Sequence, residues 1–453
     1  MHYQATFESL STHAVPAWFE DAKLGIFAHW GPYSVPAWAP AREVDFTSPD
    51  WFAENAYAEW YQNSLAIAGN STNAHHAATY GADYAYERFG ATLRENARGW
   101  DPAPWADLFA AAGARYVVPG SKHHDGFLMW PSRTPNPHRD RWQMERDVLG
   151  DLAGAVRSRG MRFGLYYSGG LDWTFGGLPI DSVPAMLAAI RQEEAYARYA
   201  DTHWRELIER YQPSVLWNDI GYPSLANSPQ LFADYYNAIP DGVINDRFDP
   251  LGAWSGTAHH DFTTPEYGRA SDIKTKKWEA CRGIGNSFGF NRQEAEAQYV
   301  TSRELVHSLA DIVSKNGNLL LNVGPTASGE IPWPQAERLL ALGHWLRVNG
   351  EAIYATRPWV RAEARTAEGL DVRFTATAEA LYAIVFDPGD APAVTLPGLR
   401  AEAGAVARQL GRSGETPWTT AGDGMRIELP AGPQTAPAIA FKIAPKPAAE
   451  PDP

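Results

Sequence analysis

The stretch SVLWNDIGYP (214–223) carries an apolar run straight into an amide, a carboxylate and a turn. A strand built for a dry interior should not end on Asp219 unless that charge is paired or put to use. Trp217 and Asp219 are two residues apart and so share one side of an extended chain, which sets an aromatic wall beside the carboxylate. Other apolar runs end in a similar way. They carry His29 (IFAHW), Lys122-His123-His124-Asp125 (GSKHHDG), Tyr166-Tyr167, Arg247 (NDRF) and Asn322. Two chemistries could use such a set. A metallohydrolase needs His and carboxylate ligands at coordinating spacing. The adjacent pairs His123–His124 and His259–His260 offer neither H-x-H on a strand nor two His one helical turn apart, so no metal ligand is assigned. A glycoside hydrolase needs only two carboxyl groups flanking an anomeric carbon. Asp219 is the natural first member, kept ionised by Arg247 and nearby His residues.

These side chains can converge only if the runs that carry them lie side by side. GIFAHW (25–30), RYVVPGSK (115–122), RFGLYYSG (162–169), SVLWND (214–219), GVINDRF (242–248) and NLLLNVG (318–324) are apolar on both faces, as parallel strands covered by helices should be. Helix-period segments alternate with them. Ser48-Pro49 opens a predicted helix through Tyr61, and Ser228-Pro229 opens another. Helices around Trp105–Ala112 and Leu152–Arg159 stop at Gly113 and Gly160. The expected fold class is therefore α/β, a (β/α)8-like TIM barrel over residues 1–355, whose working residues sit at the C-terminal strand ends. After Thr356 come LDVRFTA, LYAIVF, AVTL, MRIEL and AIAFKI, short segments between Gly, Pro and Asp clusters. They predict a small C-terminal antiparallel β-sandwich over 356–445, with RAEARTAEG as linker or first loop. The Pro-rich end, 446–453, is expected to be a disordered tail.

Composition narrows the partners. There are 39 Lys plus Arg against 53 Asp plus Glu, a net charge of −14 that argues against nucleic acid and anionic membrane surfaces. No apolar stretch approaches the roughly 18 residues of a membrane span. The opening MHYQATFESL has no basic region followed by an apolar run, so a cytoplasmic location is expected. One cysteine, Cys281, excludes an internal disulfide, and reads as a small buried apolar residue. Aromatic residues reach 12%, which fits either a large core or a pocket that stacks sugar rings.

FEDAKLGIFAHWGPYSVPAW, NAYAEWY, SKHHDGFLMW, YYSGGLDW, VLWNDIGYP, VINDRF, TTPEY, KKWEACRGIGNSFGFNRQE and NGNLLLNVGPTASGEIP together resemble the retaining α-L-fucosidases of glycoside hydrolase family 29, of bacterial type. The resemblance runs from about residue 15 to 360. It implies an exo-acting enzyme without cofactors that removes terminal α-L-fucose from fucosylated oligosaccharides or glycoconjugates through a covalent fucosyl-enzyme, with transfer to a second sugar left open. It implies Asp219 as nucleophile. His29, His123, His124 and Arg247 would hold the sugar hydroxyls, helped by Glu59 and Trp60, while Tyr166, Trp217 and Phe288 line the pocket. Fucose is a 6-deoxy sugar, and its methyl calls for an apolar wall worth about 0.8 kcal/mol per buried carbon. For the acid/base, the pairing of WND with T-x-E-Y points to Glu266 in TTPEY, with Glu279 in KKWEAC second and Glu59 third. Family members often self-associate, so a homo-oligomer is compatible. The rival readings are a metal-dependent hydrolase on the same barrel and a fucose-binding protein that has lost catalysis.

Overall fold

The computed structural model describes residues 2–402, 404–430 and 432–447. Eight strands form one parallel sheet: β1 Leu24–Ala28, β2 Tyr116–Lys122, β3 Arg162–Phe163, β4 Leu165–Ser168, β5 Val215–Asp219, β6 Val243–Ile244, β7 Trp278–Gly283 and β8 Gly317–Val323. Their order is β6-β5-β4-β2-β1-β8-β7, with β3 beside β2. Helices between the strands pack outside, and their termini follow the sequence signals in part. Gly113 and Gly160 adopt positive φ after Ala103–Ala111 and Val148–Ser158, while Asn227 rather than Ser228 caps Ser228–Ala238. No helix among the described residues is long and apolar enough to cross a membrane.

An irregular segment between β6 and β7 closes the ring. Phe262 pairs in parallel with Asn245, Thr263 with Trp278, and Glu266 with Cys281. The backbone N–H of Glu279 donates to Thr263 O and that of Tyr267 to Cys281 O, so 262–267 runs as a broken strand. The result is a (β/α)8-like barrel whose inward side chains, among them Phe27, Tyr116, Val118, Val215, Trp217, Phe262 and Leu320, form one core, while a larger core lies between sheet and helices.

Three expectations change here. Residues 48–57 form turns rather than a helix, and helical structure begins only at Ala58–Trp60, a 3-10 turn that leads into Tyr61–Ala66. Arg42 grips Asp50 through both terminal nitrogens at 3.1 Å, and Asn55 Oδ1 takes the Tyr57 N–H, fixing turns that send rings toward the barrel mouth. GVINDRF is a strand only at Val243–Ile244, because Asp246–Phe248 curls into a 3-10 turn that aims Arg247 inward. WEACRG, unforeseen as a strand, is β7, and its charged residues hid its apolar side.

Beyond the barrel come β9 Arg357–Arg365, β10 Asp371–Ala376, β11 Leu381–Phe386, β12 Ala393–Leu396, β13 Val406–Gln409, β14 Trp418–Ala421, β15 Gly424–Glu428 and β16 Ala438–Ala444. They form two antiparallel sheets, β13-β16-β11-β10-β9 and β12-β15-β14. RAEAR is thus the end of β9 rather than a linker, since Trp359 and Ala362 bury against the sheet. LYAIVF is buried throughout because its two faces meet different partners. Leu381, Ala383 and Val385 face the sandwich interior, and Tyr382, Ile384 and Phe386 join the barrel core. Of the expected tail, Lys446 is held by its N–H on Glu379 O at 2.8 Å, and 448–453 lie outside the described residues.

Candidate active site

At the C-terminal ends of the strands lies a cavity of about 310 Å³, at the lower end of the roughly 300–1,000 Å³ typical of small-molecule sites. His29, Glu59, Trp60, His123, His124, Tyr166, Trp217, Asp219, Arg247, Glu266 and Phe288 all line it. Glu279 does not.

Asp219 ends β5 on the inner side, as its spacing from Trp217 requires, and is 8% exposed. The chain then turns sharply through Ile220 and Gly221, both at positive φ. Gly169 and Gly170 of YYSGG make room for this turn, for a Cβ on Gly170 would sit 1.7 Å from Ile220 O. Asp219 Oδ1 accepts from Arg247 Nη1 at 2.8 Å and Oδ2 from the Tyr166 hydroxyl at 2.9 Å. Burial pushes this carboxyl up, but the Arg247 guanidinium and the Tyr166 hydroxyl outweigh it and hold the group below the usual carboxylate range. Arg247 is seated by Thr264, whose hydroxyl accepts from Nε at 2.9 Å and whose carbonyl accepts from Nη2 at 2.9 Å, and its guanidinium lies 4.7 Å over the Trp217 ring.

Glu266 projects from the closing segment, accepts from the Tyr57 hydroxyl at 2.6 Å, and lies 3.4 Å from Arg247 Nη2. Asp219 Oδ1 and Glu266 Oε2 are 2.8 and 3.5 Å from the same nitrogen, Arg247 Nη1, so they stand no more than about 6.3 Å apart. Glu279 is buried beneath them inside the barrel, with Tyr116 and Trp217 donating to its two oxygens. Burial raises its pKa to about 7. Glu59 is likewise buried and pushed up to about 7, with Gly289 N–H donating to it at 2.7 Å.

Two histidines have their tautomers set by their neighbours. Ser168 spends its proton on Leu171 O, so it accepts from His124 Nδ1 at 2.6 Å. Asn322 donates its amide to Phe288 O, so its Oδ1 accepts from His29 Nδ1 at 2.7 Å. Burial lowers both rings, to about 4 for His29 and about 3 for His124. Each therefore turns an unprotonated Nε2, a hydrogen-bond acceptor, away from its partner. The cavity can accept hydroxyl protons from neutral rings, cover an apolar face with aromatics and present two carboxyls near one carbon.

A family model described as alpha-L-fucosidase matches residues 1–351. The chain belongs to the α-L-fucosidase family. The tissue α-L-fucosidase of Rattus norvegicus is 33% identical over 440 residues, covering 95% of this chain and 89% of that one. The crystal structure of Thermotoga maritima α-fucosidase in complex with a mechanism-based inhibitor is 41% identical, covers 98% of this chain and 100% of that one, and superimposes with a TM-score of 0.88. A T. maritima α-L-fucosynthase carrying an Asp-to-Gly change, in complex with α-L-Fuc-(1-2)-β-L-Fuc-N3, is 41% identical over 97% of this chain and 99% of its own, with a TM-score of 0.88. Membership makes this α-L-fucosidase chain a glycoside hydrolase.

Sequence reasoning missed several wall residues. Tyr57, whose hydroxyl holds Glu266, stands in the same NAYAEWY motif as Glu59. Phe46, Trp51 and Phe52 come from a loop whose sequence gives no period to read, and Val183 and Met186 from the short helix Val183–Ala189. Cys281 is buried as expected, on the cavity wall, with its thiol pushed up by burial. Among the described residues one His/Asp group could hold a metal, His13, His259 and Asp261. It lies off the cavity, with His13 Nδ1 bonded to Asp261 at 2.8 Å and His259 Nε2 to the Tyr236 hydroxyl at 2.7 Å.

Proposed function

We propose that the protein is an exo-acting retaining α-L-fucosidase in which Asp219 attacks the anomeric carbon and Glu266 is the acid/base. The bound of about 6.3 Å between their nearest oxygens carries this reading. Retaining enzymes hold the pair roughly 5–5.5 Å apart, whereas inverting ones leave roughly 6.5–9.5 Å for a water. Asp219 is suited to attack because it is ionised and is held in direction by the Arg247 guanidinium, the Tyr166 hydroxyl and the Ile220 N–H. Glu266 gives its proton to the leaving oxygen, and the resulting carboxylate then takes one from the water that releases fucose. The Asp-to-Gly change in the related fucosynthase supports an aspartate nucleophile.

Of the other carboxyls, Glu279 is buried away from the cavity, and Glu59 keeps one oxygen on Gly289 N–H and Ser287. Glu59 is better suited to hold a sugar hydroxyl, with the Nε2 atoms of His29 and His124 accepting others. Phe27, Trp217 and Phe288 supply the apolar wall for the C5 methyl. Fucosylated oligosaccharides or glycoconjugates are the substrates on this reading, and water or a second sugar is the acceptor. Chromatography or NMR of the first-formed sugar tests it. Retention requires α-L-fucose as the initial product, and initial β-L-fucose would contradict it.

A further inference from the structure

The cavity has an outer ring that the two chemical steps do not use. On one side stands the 41–57 loop, with Phe46 53% exposed and Trp51 and Phe52 behind it. On the other is the helix Val183–Ala189, with Val183 54% exposed and Met186 beside it. Phe46 meets Trp51 edge-on at 5.0 Å, Trp51 meets Tyr57 at 5.2 Å, and Tyr57 donates to Glu266 at 2.6 Å. This row of rings therefore ends at the carboxyl that protonates the leaving oxygen, so the departing group must pass along it. The polar members are already engaged, Asn55 within its own loop and Tyr57 with Glu266. The cavity's carboxylates, imidazoles and guanidinium are all less exposed than Phe46 and Val183, the most open of them being Glu266 with 23% of its side chain exposed. The loop is braced by the Arg42–Asp50 fork, and Arg42 also donates to Glu54 O at 3.1 Å.

We propose, building on the fucosidase reading, that this ring is the leaving-group subsite and that it selects aglycones offering a flat apolar face, an aryl ring or the C–H face of a pyranose. Phe46 and Met186 are its specificity-determining residues. Aromatic edges and faces bind such surfaces by contact, with no demand for hydrogen bonds, and the unbranched Met186 side chain adapts to either shape.

Steady-state kinetics of Phe46→Ala and Met186→Ala on three substrates test this. The substrates are α-L-fucosyl fluoride, whose leaving group has no face to seat, 4-nitrophenyl α-L-fucoside, and a fucosyl-pyranoside disaccharide. In each variant the ratio of kcat/KM for the aryl fucoside to that for the fluoride should fall about tenfold, the scale of losing one apolar contact surface. Phe46→Leu should recover part of it. A matching fall for the disaccharide places pyranose faces on the same ring, and a fall confined to the aryl substrate assigns the ring to aromatic aglycones. Ratios that stay unchanged, or an equal loss on all three substrates, overturn the proposal while leaving the fucosidase reading intact. A wild-type enzyme that turns over none of the three overturns that reading as well.

Discussion

At Asp219 two pulls compete. Burial favours the neutral acid, while the Arg247 guanidinium and the Tyr166 hydroxyl favour the anion, and the anion wins. Because the folded pKa lies below the ordinary value, this carboxylate's stabilising contribution is complete above the ordinary carboxylate pKa and is lost only as pH falls through the folded value. The nucleophile should thus stay ionised through the mildly acidic range, and the acid limb of the kcat/KM profile should belong to another group. Asp219→Gly should cut turnover by roughly three decades or more, with partial rescue by azide in the vacated space. A variant near wild-type turnover would contradict the role. Glu266→Gln should slow substrates with poor leaving groups far more than those with good ones, since only the former need a proton. If Glu59→Gln gave that selective pattern and Glu266→Gln an even loss, the acid/base would move to Glu59.

The element that decides the site is the broken strand 262–267. It closes the barrel, seats Arg247 through Thr264 and carries Glu266. Thr264→Val keeps the shape but removes the hydroxyl that accepts from Arg247 Nε and donates to Asp246 at 2.6 Å. It should cost about 1–3 kcal/mol of stability, read by denaturant unfolding, and lower kcat/KM roughly tenfold. Its neighbour β7 carries Glu279 with a pKa raised to about 7. Its contribution is therefore present below the unfolded value near 4.5 and is lost as pH rises toward about 7, on the order of 3 kcal/mol. Glu279→Gln should gain stability relative to wild type between pH 5 and 8 in thermal melts, and a pH-independent difference would contradict the burial argument. These elements also mark what could be read in advance. Strands apolar on both faces, such as LYYS and VLWND, announce a parallel barrel and so place Tyr166, Trp217 and Asp219. WEACRG and TTPEY do not, because a strand that turns charges inward, or pairs at single residues, has no apolar period. Residues 48–61 read as a helix from their Ser-Pro opening, but the rings at 51, 52 and 57 point where the cavity needs them rather than along one stripe.

Across the whole molecule, the five-stranded sheet serves two cores. Tyr382, Ile384, Phe386, Ala438 and Ala440 pack on the barrel helices, and Arg373–Asp311 at 2.6 Å and Lys315–Glu363 at 2.9 Å cross the same seam. Trp345 adds a hydrogen bond to Ala438 O at 2.8 Å. An apolar, hydrogen-bonded seam of this kind couples the two parts. Calorimetry should give a single cooperative transition, and a chain ending at residue 356 should aggregate for want of a cover on those helices. Two well-separated transitions would contradict the shared core.

The most direct measurement is covalent trapping. Incubation with 2-deoxy-2-fluoro-α-L-fucosyl fluoride, proteolysis and peptide mass spectrometry should find the added fluorosugar on Asp219 within VLWNDIGYP. A label on any other residue, or inactivation without a label, would contradict the account.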